Sequence, residues 1–237
     1  MELSIVVPAF NEERLLAGSL ASIKDAASVF GGWEIVVCDN NSTDRTAEIA
    51  RTAGAKVVFE PHNQIARARN TGARAAAGEW LVFVDADSAP SRELFADLKD
   101  AIESGRVIGG GCTIAPDSEA WSFRAAIRCW NVIGRTMRWA AGAFIFCRRD
   151  VFFELGGFDE ALYASEELDL SQKLKRLARE RGLEFRILHR HPLHTSDRKL
   201  HLYGWGELGR HFGRFLLHPQ RTLRSAKDCA PWYDGRR

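Results

Sequence analysis

Over its first 110 residues the chain alternates short apolar runs with segments of helical period, and this rhythm restricts the fold more than any other feature. The runs 3–7, 34–38, 56–59 and 80–84 are rich in Val, Ile and aromatic residues and have the length of buried strands. Between them, Leu16, Leu20 and Ile23 recur at helical spacing, 65–77 is rich in alanine, and Leu94, Leu98 and Ile102 share one helical face. Asn11, Ser42 and Ser91 are positioned as helix caps, and Gly54 and Gly78 as stops. Strands alternating with helices predict an α/β fold, a parallel sheet covered on both faces, whose strand order spacing alone does not fix.

Acidic residues stand just beyond two of these runs, Asp39 after the second and Asp85-Ala86-Asp87 after the fourth. The crevice beyond the carboxyl ends of parallel strands is where open α/β sheets bind ligands. Two carboxylates separated by one residue can approach one hard divalent cation, Mg²⁺ or Mn²⁺, which would most usefully neutralise a phosphate. Turn formation with Ser88 and Pro90 is the plainer role for the same residues.

After Gly109-Gly110-Gly111 the rhythm loosens. Strands are expected at 112–114 and 143–147, with a Trp- and Arg-containing helical stretch near 118–133. A further helix is expected to start at Ser165 as cap, to carry Glu166 and Glu167 in its first turn, and to turn Leu170, Leu174 and Leu177 inward before Gly182. His189, His191 and His194 follow an expected strand 184–188, with Arg198 and Lys199 close behind.

With 237 residues the chain is read as one domain: a half at 1–110, an elaboration at 111–200, and a basic aromatic tail at 201–237. The net charge of +2 points to no polyanion, and no nucleic-acid-binding module is evident. Five cysteines without a close pair fit a reducing, cytoplasmic setting better than a disulfide framework. No apolar stretch approaches the roughly 18 residues that a membrane-spanning helix needs. The missing G-x-G-x-x-G after the first strand disfavours dinucleotide oxidoreductases, and the missing glycine-rich phosphate loop disfavours nucleotidyl transfer.

Six segments in order, Val6-Val7-Pro8-Ala9-Phe10-Asn11-Glu12, Val37-Cys38-Asp39-Asn40-Asn41-Ser42-Thr43-Asp44, Ala68-Arg69-Asn70-Thr71-Gly72, Val84-Asp85-Ala86-Asp87, Gly156-Gly157-Phe158-Asp159-Glu160 and Ser165-Glu166-Glu167-Leu168-Asp169-Leu170, closely resemble family 2 glycosyltransferases of the GT-A fold. The resemblance covers residues 3–190. It implies a mostly parallel, Rossmann-like sheet flanked by helices, and inverting transfer of a sugar from a nucleotide-diphosphate donor, a UDP- or GDP-sugar, to a hydroxyl of a glycan, lipid-linked or small-molecule acceptor.

By that resemblance, Pro8, Ala9, Phe10 and Glu12 line the nucleoside pocket, Asp39 binds the base, and Arg69 lies near the nucleotide. Asp85 and Ala86 face the ribose or sugar, Asp87 coordinates Mg²⁺ or Mn²⁺ with Asp85, and a histidine, His194 first, completes the metal shell in some related enzymes; exposed or hydrogen-bonded strand-end histidines are the alternative. Glu167 takes the place of the catalytic base, in a Glu-Glu pair where Glu-Asp is common. Apart from the resemblance, Arg198 or Lys199 stands as the alternative to the histidine, neutralising the diphosphate. A non-catalytic sugar-nucleotide-binding or assembly protein of the same fold is the alternative, supported by the Glu-Glu pair.

The segment 198–237 carries nine Lys or Arg against three acids, interleaved with Trp205, Phe212, Phe215, Trp232 and Tyr233. Two readings of it stand: packing on the core or on a second subunit, so that an oligomer is compatible, and peripheral contact with the inner face of a membrane. Its glycines favour packing.

Overall fold

The computed structural model describes residues 2–116, 121–140 and 142–195. In chain order the elements are β1 (Leu3–Ala9), α1 (Leu16–Ala27), β2 (Trp33–Asp39), α2 (Thr46–Thr52), β3 (Lys56–Phe59), α3 (Ile65–Ala75), β4 (Trp80–Val84), β5 (Ser88–Ala89), α4 (Arg92–Glu103), β6 (Val107–Pro116), α5 (Trp121–Met137), β7 (Phe144–Arg148), α6 (Arg149–Glu154), α7 (Glu166–Glu180) and β8 (Glu184–Thr195). All eight strands join one sheet in the order β3-β2-β1-β4-β7-β6-β8-β5.

The first four expected strands form a parallel block, as their alternation with helices requires. Beyond β4 the sheet is mixed: β7 runs antiparallel to both β4 and β6, and β8 lies parallel to β6. Period-2 alternation explains the two-sided core. Ile5, Val7, Val37, Val82 and Phe144 pack under α1 and α4, while Val6, Val36, Phe83 and Ile145 face α3, α6 and α7. Phe83 anchors the second face, with Phe158 edge-on at 4.9 Å and Phe152 at 5.2 Å between ring centroids. Each such buried ring stabilises the fold by about 1.5–3 kcal/mol.

Several local expectations are corrected. Ser91 caps α4 through its contact with Leu94 N, and Gly54 is left-handed as expected. Asn11 and Ser42, however, cap no helix, because their side chains are committed to each other's loops. Ser165 precedes α7 in a left-handed conformation and makes no capping hydrogen bond. Helix α3 stops at Ala75, short of the expected Ala77.

The glycine run lies inside β6, not at its start. A Cβ on Gly111 would stand 2.6 Å from Ala140 Cβ and 3.0 Å from Phe144 O, so only glycine lets the loop behind β7 press so close to the sheet. Strand β8 continues to Thr195, so His189, His191 and His194 sit on the strand instead of after it. No helix of the described residues is long and apolar enough to cross a membrane. The readings of 198–237 fall outside the described residues.

Candidate active site

The carboxyl ends of β1, β2, β3 and β4 lie along one edge of the sheet, where register sets Ala9 beside Asp39 and Asp39 beside Phe59. The loops leaving β1 and β2 are laced together. Asn11 N donates to Ser42 Oγ (3.0 Å), Thr43 N to Asn11 Oδ1 (2.8 Å), Glu12 N to Thr46 Oγ1 (2.8 Å) and Glu13 N to Asp44 Oδ2 (3.1 Å). The lacing holds Asn11 at φ 53°. Pro8 and Ala9 therefore end a central strand, half-buried Phe10 stands at its mouth, and Glu12 is buried behind it. The buried Asp39 carboxylate accepts from Ser42 N at 3.0 Å, which fixes its orientation at the end of β2.

Arg69, on α3, is buried, with 1% of its surface exposed. Its guanidinium donates to Glu166 Oε1 (2.8 Å), Asp85 Oδ1 (3.0 Å) and Gly142 O (2.7 Å), and it stands 5.2 Å from the Phe158 ring centre. Burial opposes the cationic form, but the charges of Asp85, Glu166 and Glu167 outweigh it and raise the Arg69 pKa. One side chain thus ties the end of β4, the loop before β7 and the start of α7 into a single constellation. The fork geometry of arginine suits this role, since lysine cannot span two carboxylates in one plane.

Glu166 and Glu167 open α7 but differ in their surroundings. Glu166 is buried and spent on Arg69; burial raises its carboxyl and the Arg69 charge opposes the rise. Glu167 keeps part of its surface open, yet protein crowds it, and burial followed by the negative charge of Glu166 pushes it up to about 8. Gly142 lies against the same group: a Cβ there would come within 3.6 Å of both Arg69 Nη2 and Glu167 Cδ. A solvent-reached carboxyl that takes up and releases a proton near neutral pH is suited to general acid–base work.

Asp85 and Asp87 are half-buried at the β4 edge, with Ala86 buried between them. The short strand β5 follows at once, and its pairing sets Ser88 opposite Thr195 and Ala89 opposite the exposed His194. The fold thus brings the strand carrying His194 to the segment just after Asp87. Among the described residues no three His, Cys, Asp or Glu side chains converge as a ready-made metal cage. Two hard oxygen donors on one edge suit a Mg²⁺ or Mn²⁺ whose remaining ligands are phosphate oxygens and water. Arg198 lies outside the described residues.

Other residues of the site had no role assigned from sequence. Asn70 clamps the glycine turn before α7: its Nδ2 donates to Phe158 O (2.9 Å) and Glu160 Oε1 (3.0 Å), and its Oδ1 accepts from Phe158 N (3.0 Å). Gln64 Nε2 donates to the carbonyls of Glu160 (2.8 Å) and Leu162 (2.9 Å), and its own N–H meets Asn40 Oδ1. The segments containing Asn70 and Gly157 were singled out as motifs, but contacts about 90 residues apart in sequence leave no periodic trace.

A model of the family described as Glycosyl transferase family 2 matches residues 4–156. The chain is 31% identical over 114 residues to the uncharacterized glycosyltransferase EpsJ of Bacillus subtilis, an alignment covering 46% of this chain and 33% of the relative. It spans about a third of the length of the curated relatives that it matches first. Among solved structures, the mannosyltransferase PcManGT of Pyrobaculum calidifontis, in complex with GDP-Man and Mn²⁺, superposes with a TM-score of 0.67 at 21% identity, covering 98% of this chain and 67% of that one. TarS 1-349 of S. aureus, in complex with UDP-GlcNAc, gives 0.65 at 22%, covering 84% and 59%. The eight-stranded mixed sheet with its helices is the fold of these glycosyltransferases.

Proposed function

Since the chain belongs to glycosyl transferase family 2, we propose that it moves a sugar from a UDP- or GDP-linked donor to a hydroxyl acceptor, with inversion at the anomeric carbon. The observation that carries the reading is the buried Arg69, whose guanidinium joins Asp85 on the donor strand to Glu166, next to Glu167. This arrangement supports a division of labour. The laced loops with Pro8, Ala9, Phe10, Glu12 and Asp39 hold the nucleoside; Asp85 and Ala86 face the ribose or sugar; Glu167 faces the acceptor.

In the reaction the Glu167 carboxylate takes the proton of the acceptor hydroxyl as its oxygen attacks the anomeric carbon. The bond to the diphosphate oxygen breaks on the opposite face, and the nucleoside diphosphate leaves with the electron pair. Glu166 serves poorly as base because Arg69 already occupies it. Arg69 acts as a positioning residue, keeping Glu167 in register with Asp85. A Mg²⁺ or Mn²⁺ would be held by Asp87 and Asp85, with His194 the further candidate and Arg198 assigned to the diphosphate; when bound it supplies positive charge against the leaving group. Metal complexes of neighbours of this fold support that choice.

The test is a thermal-shift series with UDP, GDP, CDP and dTDP, each with and without Mn²⁺, on the natural chain and on Asp87→Ala. A nucleotide at 100 times its Kd should stabilise by about 2.7 kcal/mol. The expected result is a metal-dependent shift with UDP or GDP that Asp87→Ala loses. An undiminished metal-dependent shift in Asp87→Ala would remove the metal role; no shift with any nucleotide would remove the donor class.

A further inference from the structure

We infer that α5 is a docking surface for an anionic lipid bilayer, lying in the headgroup plane beside the acceptor side of the sheet. The helix turns its polar anchor inward: Asn131 accepts from Ile114 N (3.1 Å) and donates to Ile114 O (2.8 Å), which pins the helix to β6. Gly134 is buried on the same side. The exposed side chains combine apolar groups with Arg128, Arg135 and Thr136. Val132, Ile133 and Met137 are 63%, 39% and 53% exposed, three of the five large hydrophobic side chains exposed among the described residues, and Ala125 and Cys129 are exposed too.

At 100° per residue, Ala125, Cys129, Val132 and Thr136 form one outer strip, opposite the buried Gly134. Arg128 and Arg135 flank it on one side and Ile133 and Met137 on the other. The sequence from Trp121 to Met137 holds no Asp or Glu. No carboxylate among the described residues forms an ion pair with Arg128, Arg135 or Arg138, whereas Arg45, Arg67, Arg148 and Arg181 each have one. Arg135 and Arg138 also line a cleft of about 240 Å³ with Arg186 and His189, where Glu184 is the acid, bonded to Arg186 and attracted by Arg138 as well. An apolar strip bordered by arginines with no acids is the composition of a helix that lies in a membrane interface.

Charge selects among the occupants. A second copy docked face to face would set Arg128 and Arg135 against their own counterparts. A surface of lipid phosphates complements the arginines and accepts the apolar strip. The helix bridges β6 and β7, and Gly142, which contacts Arg69, lies five residues past its end, so a docked bilayer would stand beside the constellation around Glu167. The inference does not depend on the transfer reaction.

The full chain should co-sediment with vesicles of phosphatidylcholine containing phosphatidylglycerol, not with phosphatidylcholine alone, and salt should weaken the binding. The double variant Arg128→Glu, Arg135→Glu should bind the mixed vesicles about 100-fold or more weakly, and Val132→Asp should also lose binding, both with unchanged circular dichroism. Binding at the natural level in both variants would place the contact elsewhere, and no binding to either vesicle would overturn the inference. A second readout needs no substitution on the helix. In Cys229→Ser, an environment-sensitive fluorophore on the exposed Cys129 should shift to the blue with the mixed vesicles. Emission that is unmoved by vesicles, or that shifts with protein concentration in their absence, would overturn the inference as well.

Discussion

On the loops beyond β2 and β3, carboxyls are kept ionised: burial alone would raise Asp44 and Glu60, but Thr46, through side chain and backbone, lowers the first, and His62 N and Thr71 Oγ1 lower the second. At the start of α7 the balance reverses, and Glu166 and Glu167 both move up even though they stand in a helix's first turn and beside Arg69. Residue type is not the difference. Donors aimed at the carboxylate decide the first case; depth and a like charge decide the second. The loops beyond β2 and β3 are thereby a fixed polar mould, while the start of α7 keeps a group able to change its protonation.

The sharpest way to break that contrast is Glu167→Gln. If Glu167 is the base, transfer should fall by about 10²–10⁴-fold while the thermal shift with nucleotide is retained. In the natural chain, transfer should rise with pH as Glu167 ionises, reaching a plateau above about 8. Stability runs the other way. A carboxyl raised in the folded state holds a proton that the unfolded chain releases, so its contribution is complete in acid and is lost as pH rises through the folded value. The Gln variant should therefore melt about 2–4 °C above the natural chain in alkaline buffer, the shift that 1 kcal/mol produces in a domain of this size, and converge with it in acid. Equal transfer rates would move the base elsewhere.

Removing the tie between the sides comes next. Arg69→Met leaves Asp85 and the buried Glu166 without their cation, and breaking a buried pair from one end costs about 3–5 kcal/mol. Urea unfolding should register that loss. Adding Glu166→Gln should recover part of it, because the uncompensated charge is the main penalty. A loss under about 1 kcal/mol would mean that Arg69 does not organise the constellation.

Gly157→Ala tests the turn that delivers α7. Gly157 has φ 72°, and a Cβ there would meet Asn70 Oδ1 at 2.7 Å, the atom that accepts from Phe158 N. Left-handed strain in a side-chain-bearing residue costs about 1–3 kcal/mol. The transfer rate should fall further than donor affinity, since the displaced segment leads to Glu167 and not to the laced loops.

The same contrast governs what the sequence made legible. The parallel block was readable because each strand and helix is a local unit with its own period, and Ser91 as the start of α4, Gly54 and the bounds of β4 followed from local rules. Asn11 and Ser42 misled because their partners are 31 residues away, so a cap-like residue served a different bond. Beyond β4, β5 has only two residues and α6 only six, too short for periodicity, and β8 carries its histidines past the point where apolar character ends. The six motifs named the parts of the site; that Arg69 joins three of its segments is a tertiary fact.

The smallest effect is expected from Ser42→Ala. Ser42 N still reaches Asp39 Oδ1 in that variant, so the orientation of Asp39 is kept and only the bond from Asn11 N is lost. That should cost about 0.5–1.5 kcal/mol in urea unfolding. Asn11→Gly separates the two jobs of its partner: it gives up the bond from Thr43 N but relieves a side-chain-bearing residue at φ 53°, whereas Asn11→Ala gives up the bond and keeps the strain. The glycine variant should therefore be the more stable of the two, and nucleotide affinity in both should change less than transfer does in Glu167→Gln. If Ser42→Ala instead matched Arg69→Met in stability loss, the donor loops would be as dependent on single long-range contacts as the acceptor side, and the division between a many-bonded mould and a singly tied constellation would fail.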